Sequence, residues 1–130
     1  MKVNQTNKYT ATVTIGLQKG YTKDFWSKSE VIVKLQEFQN QLIQDKNIYL
    51  SAAVSECEIV LSGQVEPSLK IDFINYPKFP LDEKKFKESV LFLTKRLMKE
   101  LNQNRIVVVF HNEIVMLEDN PEIDPRILVK

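Results

Sequence analysis

One histidine, one cysteine and a loop carrying lysines and aromatics are the residues best suited to chemistry in this chain. His111 has Glu113 two residues on. On a strand both would point to the same side, as a pair of metal ligands would. Two ligands are too few for zinc, and no second histidine or cysteine exists to complete the set. No metal and no cofactor are expected. Cys57 and His111 form the sole Cys–His combination, and nothing in their spacing brings them together as nucleophile and base. Cys57 excludes an internal disulfide, and its strand-like neighbours suggest a buried, inert thiol. Glu56 and Glu58 share one strand face, where charges facing solvent account for them without catalysis.

The segment from Gln18 to Lys28 offers more. Lys19 and Lys23 supply positive charge, Gly20 supplies a turn, and Tyr21, Phe25 and Trp26 supply rings. The loop is neither a P-loop nor a dinucleotide fingerprint. It does run into a helix start, where free amides and the positive end of the dipole attract anions. Lys19, Gly20, Tyr21, Lys23 and Trp26 are therefore candidate ligand contacts for a nucleotide or another planar anion. Arg105 is a second cation for the same ligand, and Tyr76 and His111 complete the candidate set. The competing explanation is that Phe25 and Trp26 staple the helix entrance.

These residues need elements to hold them. Tyr9, Ala11, Val13, Ile15 and Leu17 alternate with Thr10, Thr12 and Thr14, the pattern of a central strand with one buried face. Ser27 and Glu30 have capping-box spacing, and Val31, Leu35, Phe38 and Leu42 then repeat as a helix stripe as far as Asn47. Residues 48–62 read as a strand. A change of phase near Ser55–Glu56 asks for a bulge or a break, which would turn Cys57, Ile59 and Leu61 inward. The turn at Ser62-Gly63-Gln64 closes a hairpin with Leu69, Ile71 and Phe73. Asp82 caps a second helix whose stripe is Phe86, Val90, Leu93, Leu97 and Leu101. Its lysines read as a solvated face beside nearby acids. Residues 105–110 and 114–117 are strands, with a turn or a polar mid-strand stretch at His111-Asn112-Glu113.

The order strand, helix, strand, strand, helix, strand predicts an α+β, ferredoxin-like βαββαβ sandwich. Its antiparallel sheet carries both helices on one face, with an extra C-terminal strand in view. One domain is expected: a loose lead over 1–8, a core over 9–117 and a tail over 118–130. That tail would lie on the surface or touch a neighbouring subunit. The open sheet face reads as Thr10, Thr12, Thr14, Ser51, Ala53, Lys70, Asp72, Ile74 and Tyr76. These are mostly small residues with an apolar corner at Ile74 and Tyr76, taken as a largely uncharged surface. A homo-oligomer through that face or the C-terminal strand follows. Few aromatics lie there, so no specific nucleic-acid signature is present.

Ile15-Gly16-Leu17, the stretch Glu66-Pro67-Ser68-Leu69-Lys70 and the stretch from Gln103 to Val107 resemble an uncharacterised family. It consists of small bacterial ferredoxin-like domains of unknown function. The likeness spans Tyr9 to Leu117; it implies the fold and brings no activity.

Composition narrows the classes. Eighteen basic residues against 17 acidic ones leave a net charge of +1, so no global field selects nucleic acid or anionic lipid. No membrane span or secretory leader is expected, and the cytoplasm of a bacterium or a phage-infected host is the expected location. The leading functional reading is a non-enzymatic, homo-oligomeric module. It would bind or sequester a small anionic or nucleotide-like molecule, as a phage- or defence-related signal sponge does. One alternative is a cofactor-free enzyme of the dimeric ferredoxin-like barrel type, with His111 or Tyr76 moving protons. The other is a pure protein-interaction subunit.

Overall fold

The computed structural model describes residues 1–121. Its elements run β1 (Thr10–Gly16), α1 (Lys28–Lys46), β2 (Ala52–Leu61), β3 (Gln64–Ile74), α2 (Glu83–Glu100), β4 (Arg105–Phe110) and β5 (Ile114–Glu118). The five strands lie in the order β2-β3-β1-β4-β5, and every neighbouring pair is antiparallel. The first four strands have the ferredoxin-like arrangement, with β5 added at the β4 edge. His111-Asn112-Glu113 is thus a turn between two strands, with the Phe110 N–H donating to the Glu113 carbonyl at 2.8 Å.

β1 sits mid-sheet because its alternation suits that place. Ala11, Val13 and Ile15 are buried under the helices, while the threonines between them are half-buried on the other face. Leu69, Ile71 and Phe73 from β3 and Ile106, Val108 and Phe110 from β4 extend the same apolar surface. Val31, Leu35, Phe38 and Leu42 of α1 cover it from above, with Phe86, Val90, Leu93 and Leu97 of α2. Both helix starts follow the sequence. Ser27 and Glu30 form the full capping box, and the Asp82 side chain accepts from the Lys85 amide. α1 ends at Asn47, whose φ of 54° is the left-handed conformation asparagine tolerates.

The second strand departs from expectation. β2 pairs with β3 without interruption from Ala52↔Phe73 to Leu61↔Gln64, so no bulge changes its phase. Cys57 and Ile59 therefore share the open face with Ala53 and Ser55. β1 stops at Gly16↔Ser68. Beyond it, β2 and β3 continue as a two-stranded ribbon with neither face under a helix. Val60 is accordingly 68% exposed and Cys57 half-buried, a correction to the buried-thiol reading. Ser62 (φ 50°) and Gly63 (φ 80°) close the ribbon in a two-residue turn, where successive positive φ angles match the strand twist.

The open face also differs from the uncharged surface expected. Lys70 and Asp72 lie there as the alternation of β3 implied, and Glu66 and Arg105 share the same parity, so the face carries more charge than expected. Val107, Val109, Ile114 and Met116 make an exposed apolar block along β4 and β5. Of the expected tail, Glu118 belongs to β5, while residues 122–130 lie outside the described residues.

Candidate active site

The candidate ligand contacts separate in space. Lys19 to Trp26 form a closed loop in which Gln18 bridges Phe25 and the Lys19 N–H donates to the Asp24 carbonyl at 2.8 Å. Gly20 turns it with a φ of 58°. Tyr21 and Lys23 face solvent. The Trp26 indole N–H donates to the Leu101 carbonyl at 3.0 Å, tying the loop to the end of α2. Lys19 Nζ stands 4.3 Å from the centre of that indole ring. At the start of α1, the Ser27 N–H donates to a Glu30 carboxylate oxygen at 3.1 Å. A carboxylate already occupies the dipole end that an incoming anion would use. These hydrogen bonds from the Ser27 backbone and hydroxyl hold the Glu30 carboxyl below its ordinary pKa.

Arg105 lies at the same end of the sheet, its Nε 2.7 Å from a Glu118 carboxylate oxygen. Tyr76 and His111 are at the other end, after β3 and after β4. His111 rests against the rings of Tyr9 and Phe86, with Nε2 3.3 Å from Glu83 and Nδ1 3.3 Å from the Thr10 amide nitrogen. Cys57 pairs with Ser68 near the opposite end of β3, so no Cys–His couple forms.

Three segments from distant parts of the chain meet at the end of β1. Gly16 pairs with Ser68, and its missing side chain is what makes the arrangement possible. A β-carbon there would collide with the Glu66 carboxylate and lie 3.4 Å from Gln103 Oε1. Glycine in a strand interior commonly marks such a close approach. Gln103 Nε2 donates to the Gln18 carbonyl at 2.8 Å and the Leu101 carbonyl at 3.2 Å, which aims its Oε1 toward Gly16. The buried Ser68 hydroxyl donates to the Glu66 carbonyl at 3.1 Å, bracing the start of β3. A carboxylate and an amide oxygen thus converge over one glycine on the open sheet face. Such a site is electron-rich. It suits a cation, a proton donor or a positively polarised carbon.

Glu66 and Gln103 were not among the candidate contacts drawn from sequence. Their signal was present: Gly16, Glu66 and Gln103 each sit in one of the three stretches that carried the family resemblance.

The family model for SAM lyase matches residues 4–117, most of the chain. This chain belongs to the SAM lyase family. The resemblance to a family of unknown function is corrected accordingly: the family is a named one. The reading as a non-enzymatic sponge is overturned by the same match, since the family is one of lyases, and the enzyme alternative gains instead. A solved structure of a phage SAM lyase in complex with S-methyl-5'-thioadenosine is 18% identical with a TM-score of 0.67, covering 92% of this chain and 95% of that one. A phage SAM lyase in the apo state is 18% identical with a TM-score of 0.64, covering 85% of this chain and 89% of that one. At that identity the likeness concerns the fold. No curated protein matches the chain. Among the described residues, no helix is long and apolar enough to cross a membrane.

Proposed function

We propose that this SAM lyase family member cleaves S-adenosylmethionine at a carbon–sulfur bond and releases S-methyl-5'-thioadenosine. Membership of the family carries the reading. The bound molecule named for the similar phage enzyme supports the choice of product.

The chemistry sets what the site must do. The substrate sulfur is a sulfonium, already a good leaving group, and departs as a neutral thioether. A lyase adds no water. The displacing electron pair therefore comes from the substrate itself, through its own carboxylate or through a carbon–hydrogen bond losing its proton. The protein must hold a cationic, flexible chain in one geometry and exclude water. Glu66 and Gln103 offer oxygens to the positive sulfonium or ammonium of that chain, and the bare Gly16 leaves the space in which the Glu66 carboxylate is held. A carboxylate beside that charge orients the substrate and can accept a proton.

Purified protein incubated with S-adenosylmethionine is expected to release S-methyl-5'-thioadenosine, read by chromatography. Glu66→Gln should lower kcat at least about a hundredfold, the scale lost when a positioned electrostatic group is removed. No release by the unaltered protein sinks the lyase reading. Release undiminished in Glu66→Gln sinks only the site.

The assembly we propose is a homo-oligomer through the β4–β5 part of the open face. An exposed apolar block supports it, with Val107 opposite Met116 and Val109 opposite Ile114 in register. A half-exposed free thiol, Cys57, suits the reducing cytoplasm of a bacterium or a phage-infected host.

A further inference from the structure

At the sheet end away from Gly16, three exposed rings form a continuous stack. Tyr49 and Phe79 lie 5.0 Å apart between centroids at 26°, and Phe79 and Tyr76 lie 6.1 Å apart at 26°. Exposed aromatic rings are costly to leave in water, and these three are between 41% and 46% exposed. Facing them across a groove of about 690 Å3 is α1, which presents Gln36, Asn40 and Ile43 at helical spacing. Gln39 Nε2 donates to the Leu50 carbonyl at 2.9 Å and pins the Tyr49 segment to that helix. The wall is therefore held from both sides.

We propose that this groove is a second ligand site, for an uncharged purine nucleoside. The stacked rings supply π-faces on which a base extends the column. The Gln36 and Asn40 amides each carry a donor and an acceptor, the complement of the paired donor and acceptor along an adenine edge. Ile43 and Leu50 give the ring an apolar floor. The groove volume lies in the range of small-molecule sites. Among the described residues no lysine, arginine or acid lines it, so a phosphate tail would find no counter-charge there. The site is separate from Glu66 and Gln103, and the proposal does not depend on the lyase reading.

The test is nitrogen-15 NMR of the full chain titrated with adenosine. Shifts are expected at the side-chain amides of Gln36 and Asn40, with adenosine monophosphate binding no tighter than adenosine. Phe79→Ala and Asn40→Leu, both at partly exposed positions, should each raise the apparent Kd at least about tenfold, the effect of losing one stacking partner or one bidentate contact. Shifts confined to Gln103 and its neighbours would overturn the proposal, as would no shift at all. Tighter binding of the monophosphate would overturn the ligand class. An unchanged Kd in both variants would overturn the site. Failure of the lyase reading would appear separately, as no thioadenosine released from S-adenosylmethionine.

Discussion

Gly16 and Glu66 share one volume: the carboxylate of the second occupies the space that a side chain on the first would need. Their strands are neighbours, yet the two residues stand 50 positions apart in the chain. Replacing Gly16 by alanine therefore tests the site without touching any group that does chemistry. What the new methyl meets is the far end of a flexible side chain, so the fold should survive with a small change in Tm. The carboxylate must move aside, and turnover of S-adenosylmethionine should fall at least about tenfold, the cost of misplacing a positioned group. A Gly16→Ala protein with full kcat would show that Glu66 does not act from this position.

Trp26 carries a different expectation. Its indole N–H holds the Leu101 carbonyl at the close of α2, where Leu101 itself is buried. Trp26→Phe keeps an aromatic ring, though a smaller one, and removes the donor. The Leu101 carbonyl keeps its bond from Gln103 Nε2, so the loss is that of one hydrogen bond, roughly 0.5–1.5 kcal/mol. Urea unfolding should show that loss with an unchanged slope. A much smaller cost would mean that the loop is not tied to the helix as described.

The helix starts give a pH dependence with a defined sign. Hydrogen bonds from the Ser27 backbone and hydroxyl lower the Glu30 pKa in the folded chain. A depressed acid contributes stability above its unfolded pKa, and that contribution fades as pH falls through the folded value. Glu30→Gln should thus narrow the stability difference between neutral and acidic pH, measured as Tm from pH 7 down to pH 3. An equal slope in both proteins would remove the effect. At the second helix, Asp82→Ala removes the side chain that accepts from the Lys85 amide and should cost about 1 kcal/mol.

Burial periodicity made much of the fold legible, and the exceptions share one cause. β1 alternates because a helix layer covers one of its faces, and α1 shows its stripe because the sheet lies beneath it. Among the described residues nothing covers the outer half of β2, so its apolar residues report no inside. Cys57 and Ile59 were turned inward by a rule that assumes a core. The site was hidden for another reason. A glutamate on a strand and a glutamine after a helix look like ordinary polar surface, and only the pairing of Gly16 with Ser68 brings them together. Loop lysines and aromatics drew attention instead, because clustering in sequence is visible while convergence in space is not. The traces were the bare Gly16 and the place of Glu66 and Gln103 in the stretches that carried the family resemblance.

The apolar block on β4 and β5 leads to the last prediction. Val109 and Ile114 are directly opposed across the ladder, and Ile114 is 70% exposed, while Thr12 beside Val109 offers no cover. An aliphatic patch of this kind on a sheet edge invites strand or face pairing with another chain. Val109→Lys with Ile114→Glu leaves strand parity intact and puts a solvated pair on the surface. If the block joins copies of this chain, light scattering after size exclusion should show the unaltered protein as an oligomer and the double variant as a monomer. The monomer's circular dichroism should be unchanged, since neither residue packs into the core. A monomeric unaltered protein would reject the assembly outright. An oligomer that persists in the double variant would move the interface elsewhere, with the exposed ribbon of Val60, Leu61 and Val65 the next surface to alter.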